Sequence, residues 1–270
     1  MSLPEPGPDR TCLVTGASSG IGQEIARLLA ARGFGVTLVA RRAEKLKELA
    51  GELSAAHRVR AEVLPADLAD VDARAALVPA IAELGLRVDV LVNNAGSSTM
   101  GPIRTSDAAA EINMLRTNVE APAHLCSLFV PGMADRGRGA VLNVASTAAF
   151  QPLPGQAGYG ATKAFVLSYT NALRAELAGT GVSVTALCPG PVETGFGQAA
   201  GLTDEEASGS LPKMMWVPAA EVAKAAVDGL DAGRRVVIPG RANKLGAAAG
   251  YLVPRKLLLP ILARQHPSLK

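Results

Sequence analysis

The sequence TCLVTGASSGIG, residues 11–22, decides the fold of this chain. Its first five residues form a short apolar run with β-branched members, which is typical of a buried strand, and residues 21–31 continue with the apolar spacing of a helix. The glycines between them permit a tight turn and let a pyrophosphate approach the backbone N–H groups at the helix N-terminus. A glycine-rich loop can be a simple turn, but its place between a strand and a helix predicts the start of a dinucleotide-binding fold.

Six residues of this turn are predicted to contact the cofactor. The glycines give access to the backbone, and the two serines offer hydroxyl groups to phosphate or ribose oxygens. The six residues are Gly16, Ser18, Ser19, Gly20, Ile21 and Gly22.

Strand-like and helix-like segments alternate along the rest of the chain. The predicted strands are residues 11–15, 36–40, 59–64, 88–93, 140–145, 182–188 and 236–238. The predicted helices are residues 21–31, 43–56, 71–84, 109–134, 159–178 and 218–231. Strands that are apolar almost throughout need cover on both faces, so the pattern predicts an α/β fold with a doubly wound parallel sheet of seven strands.

Composition limits the domain organisation and the partners. The chain has 270 residues, 49% of them hydrophobic, and no linker, which predicts a single domain over residues 1–270. A net charge of only +3 argues against a nucleic-acid partner. Three widely spaced cysteines predict free thiols in a reducing cytoplasm, and three scattered histidines predict no metal site. Residues 1–10 are rich in proline and lack the apolar core of a signal peptide, so we expect a disordered leader.

Arg41 and Arg42 follow the second predicted strand, where a chain that binds NAD(H) would usually carry an acidic residue. Guanidinium groups attract the 2′-phosphate of NADP(H), and the missing acid removes the repulsion that would exclude it. This predicts NADP(H) as the preferred cofactor. Two solvated arginines at the start of a helix would give the same sequence, so NAD(H) stays open.

Two further strand ends carry predicted cofactor contacts. A carboxylate at Asp67, next to Leu68, is suited to accept a hydrogen bond from the adenine amino group. At the end of the fourth strand, Asn94, Ala95 and Gly96 are small enough for the adenine ribose to lie close to the backbone.

Tyr159 and Lys163 lie four residues apart in a predicted helix, so their side chains share one face. An ammonium group beside a phenol favours the phenolate, and we expect it to lower the pKa of Tyr159 from its ordinary value of about 10. Such a phenol can donate or accept a proton during the interconversion of an alcohol and a carbonyl compound.

Five motifs occur in one order along the chain: residues 15–22, the sequence NNAG at 93–96, Ser146, residues 159–163 and the sequence CPGPVET at 188–194. Together they resemble the short-chain dehydrogenase/reductase superfamily, in its single-domain subtype of roughly 250 residues. The resemblance implies a Rossmann-type sheet in the order 3-2-1-4-5-6-7, a nicotinamide cofactor, and hydride transfer to or from a carbonyl or alcohol carbon.

The resemblance also implies roles for single residues. Tyr159 is similar to the family's general acid and base, and Lys163 to the lysine that bonds the nicotinamide ribose and keeps the pKa of the tyrosine low. Ser146 is similar to the serine that bonds the substrate oxygen. Asn118 resembles the asparagine that holds a water linking the lysine to solvent. The residues that resemble the nicotinamide-contacting segment are Pro189, Gly190, Val192 and Thr194.

The predicted function is therefore the NADP(H)-dependent interconversion of a carbonyl and an alcohol, with reduction of a hydrophobic ketone or aldehyde preferred. Apolar residues within 195–216 suggest a lid over such a substrate, although they would serve equally to dock the lid on the core. An NAD-dependent alcohol dehydrogenase and a cofactor-sensing scaffold without turnover are the alternatives.

Residues 241–270 form an apolar and basic extension beyond the last predicted strand. We expect it to pack against the protein or a second subunit, with contact to an anionic membrane surface as the less favoured alternative. The family resemblance implies a homodimer or homotetramer.

Overall fold

The computed structural model describes residues 3–193 and 212–265. Its strands are β1 (Arg10–Thr15), β2 (Val36–Ala40), β3 (Ala61–Pro65), β4 (Arg87–Asn93), β5 (Gly139–Val144), β6 (Val182–Leu187) and β7 (Val236–Val237). Its helices are α1 (Gly20–Ala31), α2 (Ala43–His57), α3 (Val71–Glu83), α4 (Ala108–Leu115), α5 (Ala121–Asp135), α6 (Ala157–Glu176), α7 (Ala219–Asp231), α8 (Arg241–Leu252) and α9 (Arg255–Gln265).

All seven strands join one parallel sheet in the order β3-β2-β1-β4-β5-β6-β7, which confirms the predicted fold class and strand order. The order reverses between β1 and β4, and a crevice outside the carboxyl ends of strands at such a point is the usual ligand site of this architecture. The catalytic and cofactor candidates that follow β1, β4, β5 and β6 therefore share one edge of the sheet.

The core has two layers because successive strand residues face opposite sides of the sheet. Val14 belongs to the layer that also contains Ile25 of α1 and Val222 of α7. Its neighbour Leu13 belongs to the layer that contains Leu77 of α3 and Leu125 of α5. Helices on both faces thus explain why the strands are apolar almost throughout.

The predicted helix over residues 109–134 is interrupted in the structure. A π-helical turn at Arg116–Glu120 joins α4 to α5. Such turns are rare and occur often at functional sites, and this one holds the candidate residue Asn118.

The prediction of a disordered leader is wrong for residues 3–10. The backbone N–H of Leu3 donates to a carboxylate oxygen of Asp231 in α7 at 2.9 Å, and the Leu3 side chain is buried in the core. At the other end of this segment, Arg87 N–H donates to the Asp9 carbonyl at 2.9 Å, beside an ion pair between the two side chains. An apolar side chain and a backbone donor with good partners outweigh the proline content that suggested disorder.

Candidate active site

The glycine-rich turn holds β1 and β4 together through Thr15 and Asn94. The Asn94 side-chain amide donates to the Thr15 carbonyl at 2.9 Å, and the Asn94 backbone N–H donates to the Thr15 hydroxyl at 2.9 Å. Gly16 has φ +64°, and a Cβ there would lie 2.9 Å from Ala95 Cα. At Gly22, a Cβ would meet the Asn94 side chain and lie 2.6 Å from the Gly16 carbonyl oxygen. The close packing of this turn therefore requires glycine at both positions.

The N-terminus of α1 is suited to an anion. Its N-cap residue Ser19 makes no side-chain capping bond, and no acidic residue lies in the first turn. The first N–H groups of a helix lack intrahelical partners and carry partial positive charge, so a phosphate fits there. Gly20 begins the helix with φ +59°, and Ile21 packs partly against the core.

Arg42 reaches the glycine-rich turn, whereas Arg41 does not. The Arg42 guanidinium donates to Ser18 Oγ at 2.9 and 3.2 Å and to Ser19 Oγ at 2.7 Å. Arg41 is exposed and makes no hydrogen bond within the described part of the chain. One guanidinium and two hydroxyls thus converge where a 2′-phosphate is predicted.

Asp67 and Leu68 follow β3 and differ in exposure. Asp67 is exposed, and its carboxylate accepts a bond from the Ala69 N–H at 3.0 Å. Leu68 is buried, and its carbonyl accepts a bond from the Arg74 guanidinium at 2.6 Å. Both lie at the sheet edge where the adenine end of the cofactor is predicted.

Lys163 is buried at the centre of the catalytic cluster, with 5% of its surface exposed. Its ammonium donates to the Val144 carbonyl at 3.0 Å and lies 5.7 Å from the centroid of the Tyr159 ring. Burial disfavours the cation and lowers the pKa of Lys163 to about 8, against a smaller opposing effect of Cys188. A Cβ on Gly96 would lie 3.4 Å from Nζ, so small residues after β4 leave room for this side chain.

The phenol of Tyr159 does not have the lowered pKa that the Tyr–Lys spacing predicts. Burial disfavours the phenolate and raises the pKa of Tyr159, while a hydrogen bond with Ser146 acts in the opposite direction. The expectation is wrong in direction because removal from water outweighs nearby stabilising groups. A phenol held in its protonated form is a proton donor at neutral pH.

Ser146 connects the ends of two strands to Tyr159. It follows β5 and caps a short 3₁₀ turn, Thr147–Phe150, by accepting from the Ala148 N–H at 3.1 Å. Its hydroxyl also donates to the Pro189 carbonyl beyond β6 at 3.4 Å. Ser146 and Tyr159 thus meet at the carboxyl edge of the sheet.

Asn118 orders the backbone of this cluster. Its side-chain amide donates to the Ser97 carbonyl at 2.9 Å and to Thr162 Oγ1 at 3.1 Å, and its oxygen accepts from the Ser97 N–H at 3.0 Å. Thr162 in turn donates to the Tyr159 carbonyl at 2.7 Å. The chain from Asn118 through Thr162 to Tyr159 positions the catalytic helix against the π-helical turn.

Thr162 and Asn243 are site residues that sequence reasoning missed. Thr162 lies three residues after Tyr159, on the same turn of a helix, which was the available signal. Asn243 in α8 is fully buried and donates to the Met215 and Pro239 carbonyls at 2.9 and 3.0 Å. An isolated asparagine far along the chain gives no comparable signal.

The predicted nicotinamide segment lies only partly within the described residues. Pro189 is buried beside Ser146, and its carbonyl accepts from the Thr147 N–H at 2.9 Å. Gly190 packs so closely against Asn243 that a side chain there would overlap it, and Val192 packs partly against the core. Thr194 and residues 195–211 of the predicted lid, which spans 195–216, lie outside the described residues.

A cavity of about 460 Å³ is lined by residues of α6 and of the segment that precedes it. Its walls include Gln151, Leu153, Ala161, Ala164 and Arg255, but not Ser146, Tyr159 or Lys163.

Neither a metal centre nor a membrane-spanning helix is found in the described ranges, 3–193 and 212–265. Within them, no group of three or more His, Cys, Asp or Glu side chains is arranged to hold a metal ion. Nor is any helix there both long enough and apolar enough to cross a membrane.

The chain is similar in sequence to known oxidoreductases. The model of the short chain dehydrogenase family matches residues 10–205. Sulfoacetaldehyde reductase 2 of Chromohalobacter salexigens is 40% identical over 201 residues, which cover 74% of this chain and 79% of that protein.

Two solved structures are similar over nearly the whole chain. A short-chain dehydrogenase from Sphingobium yanoikuyae in complex with NADPH is 33% identical, with a TM-score of 0.78 and coverage of 93% of this chain and 95% of that one. A 7β-hydroxysteroid dehydrogenase is 27% identical, with a TM-score of 0.84 and coverage of 97% and 99%.

Proposed function

Because this chain belongs to the short-chain dehydrogenase family of oxidoreductases, we propose that it reduces a hydrophobic ketone or aldehyde with NADPH. The observation that carries the proposal is the cluster of Ser146, Tyr159 and Lys163 at the carboxyl edge of the sheet. Tyr159 is hydrogen-bonded to Ser146, and the Lys163 ammonium lies over the Tyr159 ring. A proton donor, a hydroxyl for the substrate oxygen and a cation thus share one small volume.

In the proposed reaction, NADPH supplies the hydride when bound. Ser146 bonds the substrate oxygen and stabilises the negative charge that develops on it. Tyr159 gives its phenolic proton to the same oxygen, and its raised pKa keeps the phenol protonated at neutral pH before the transfer. Lys163, whose lowered pKa lies near the working range, stabilises the phenolate that remains and would bond the nicotinamide ribose. Asn118 acts through Thr162 to position the helix that carries both side chains.

The residues at the other end of the cleft fit the cofactor. The glycine-rich turn and the N-terminus of α1 would hold the pyrophosphate, since Ser19 leaves the first N–H groups without a side-chain partner. Asp67 and Leu68 would contact adenine, and residues 94–96 the adenine ribose. Residues 189–194 would contact the carboxamide of the nicotinamide.

NADP(H) is proposed over NAD(H) because Arg42 contacts both serines of the turn. A 2′-phosphate would take the place of neutral hydroxyls as its partner, giving a charge-assisted hydrogen bond. The Sphingobium yanoikuyae relative in complex with NADPH supports this choice. An NAD-dependent alcohol dehydrogenase is the second candidate.

The substrate class is proposed from this chain's own residues. By name, the relatives reported above act on substrates as different as sulfoacetaldehyde and a steroid, so they do not decide the matter. After the undescribed segment, Met214 is exposed, and Asn243 holds the next residue, Met215, through its carbonyl. Both methionines belong to the predicted lid, residues 195–216, and flexible apolar side chains in a lid favour an apolar substrate.

The test is the oxidation of NADPH, followed by its absorbance, with a panel of carbonyl substrates from short aliphatic aldehydes to steroid and long-chain acyl ketones. We expect turnover with NADPH and a rise in kcat/KM with the apolar size of the substrate. Equal kcat/KM with NADH would favour the alcohol dehydrogenase. Tight binding of NADPH without turnover of any substrate would favour a cofactor-sensing scaffold and contradict the proposal.

We further propose a homodimer or homotetramer located in the cytoplasm. Ile112 and Leu115 in α4 and Phe165 in α6 are exposed apolar side chains, and apolar patches of this kind often lie in subunit contacts. Static light scattering of the purified protein measures the molar mass directly, and a monomer at micromolar concentration would contradict the oligomer.

A further inference from the structure

The charge of this chain is divided unevenly between the C-terminal extension and the rest. Residues 241–270 contain six Lys and Arg and no Asp or Glu. Because the whole chain has 27 basic and 24 acidic residues, the remaining 240 carry 21 and 24. The extension is therefore strongly cationic, while the rest of the protein has a net charge of −3.

Exposed apolar side chains accompany these cations. On α8, Leu245, Tyr251 and Leu252 are each more than 70% exposed, and Leu257 on α9 is 63% exposed. The opposite side of α8 is buried through Asn243, Ala247 and Gly250, so the helix is already packed on its inner side. A group of large apolar side chains this exposed on one helix is uncommon on a surface that contacts only water.

The cations lie among these apolar side chains. Lys244 precedes Leu245 on the outer side of α8, and Lys256 precedes Leu257 on α9; both lysines are exposed. Six residues define what we call the outer face: Lys244, Leu245, Tyr251, Leu252, Lys256 and Leu257.

We propose that the outer face binds the surface of an anionic phospholipid bilayer. Leucine and tyrosine side chains can enter the boundary between head groups and acyl chains, while lysines on the same face contact lipid phosphates. A second copy of this chain fits less well, since a symmetric contact through the outer face would bring like charges together. Charge complementarity therefore selects the bilayer.

The contacts of the extension connect the outer face to the active site. The Arg255 guanidinium donates to the Gly250 carbonyl at 2.8 Å and to the Phe150 carbonyl at 3.3 Å. Phe150 ends the 3₁₀ turn that begins directly after Ser146. A bilayer on the outer face would thus bind the same extension that is hydrogen-bonded to the segment after Ser146.

Co-sedimentation with vesicles tests the proposal. We expect the full-length protein to sediment with vesicles of phosphatidylcholine mixed with phosphatidylglycerol, to stay in solution with phosphatidylcholine alone, and to be released by added salt. The double variant Lys244→Gln/Lys256→Gln removes two charges from the outer face and should weaken binding about 30-fold. The matched control Lys45→Gln/Lys47→Gln, on exposed positions of α2, should bind like the wild type.

A second pair of variants tests the apolar part. Leu252→Ser/Leu257→Ser should also weaken binding, whereas Val71→Ser, at an exposed position of α3, should not. Equal sedimentation with both kinds of vesicle, or with neither, would overturn the proposal. So would a fall in molar mass for Leu252→Ser/Leu257→Ser in light scattering without any wild-type lipid binding, since the outer face would then be a contact between copies. Vesicle binding does not require turnover, so its outcome is independent of the proposed reductase function.

Discussion

The two ends of the cleft hold their cationic side chains in different environments. At the dinucleotide end, the Arg42 guanidinium is exposed and bonded to two neutral hydroxyls, and it has no anionic partner among the described residues. At the proton-transfer end, the Lys163 ammonium is buried and donates to a single backbone carbonyl. An exposed guanidinium keeps its charge and can select an anionic ligand, whereas a buried ammonium has its pKa moved toward neutrality.

This contrast suggests a division of work along one sheet edge. The exposed dinucleotide end selects the cofactor, because a guanidinium in contact with water keeps its charge without a desolvation cost. Proton chemistry belongs to the buried end, where removal from water raises the pKa of Tyr159 and lowers that of Lys163. Variants at the two ends should therefore change different kinetic constants.

The largest effect is expected for Tyr159→Phe. Loss of the proton donor should lower kcat by about 10²–10⁴, the usual contribution of a general acid, while Kd for NADPH changes little. The measurement is single-turnover kinetics together with fluorescence titration of NADPH. Tyr169→Phe is the matched control, because Tyr169 lies in the same helix but stacks on Phe165 at 5.6 Å. If Tyr159→Phe retained wild-type kcat, the proton-transfer assignment would have to be abandoned.

Arg42→Ala should affect binding rather than the chemical step. Loss of a charge-assisted phosphate contact is worth about 1.5–3 kcal/mol, or roughly 10–150-fold in kcat/KM with NADPH. We expect kcat/KM with NADH to stay near the wild-type value, since NADH has no 2′-phosphate.

Arg41→Ala is the neighbouring control for this comparison. Its guanidinium makes no hydrogen bond within the described residues, so the loss with NADPH should be clearly smaller than for Arg42→Ala. Equal losses with both cofactors, or a larger effect at Arg41, would mean that the exposed end does not select the phosphate in the way proposed.

The pH dependence of kcat/KM tests the proposed role of Lys163 at the proton-transfer end. Lys163 is a cation below its pKa of about 8 and neutral above it, so kcat/KM for reduction should fall by about tenfold per pH unit on the alkaline side. Tyr159 cannot cause this decline, because its raised pKa keeps the phenol protonated through the same range. The variant Lys163→Arg keeps a charge that does not titrate there, and its normalised profile should lose the decline. A decline that persists unchanged in Lys163→Arg would assign it to another group.

The sequence predicted the dinucleotide end more completely than the proton-transfer end. Close backbone approach restricts residue type, so Gly16 and Gly22 could be identified from the sequence alone. The strand order was predicted through the family resemblance, which the parallel sheet confirms. Such constraints act between neighbours in the chain and leave a local pattern.

Burial and distant contacts left no such pattern. The pKa direction of Tyr159 was wrong because burial determines it, and the sequence shows only the Lys163 neighbour. Asn243 and Leu3 were missed for the same reason, since each has a distant partner: Met215 lies 28 residues from Asn243, and Asp231 lies 228 residues from Leu3. The proline content of residues 1–10 likewise could not predict that Leu3 forms a hydrogen bond with Asp231.

The smallest effects should come from two glycine substitutions that test whether close approach limits the dinucleotide end. At Gly22, an added Cβ would lie 2.6 Å from the Gly16 carbonyl oxygen, and the backbone there cannot move without disturbing the Thr15–Asn94 bonds. We expect Gly22→Ala to lower the free energy of unfolding by about 1–3 kcal/mol and to weaken NADPH binding. Gly51 in α2 has no heavy atom within 4 Å of an added Cβ, so Gly51→Ala should raise the free energy of unfolding by about 0.5–1 kcal/mol through helix propensity. Urea unfolding measures the free energy of unfolding of both variants, and the two substitutions should change it in opposite directions. If Gly22→Ala were more stable than the wild type, the turn would have room for a side chain, and close backbone packing would not explain the glycine.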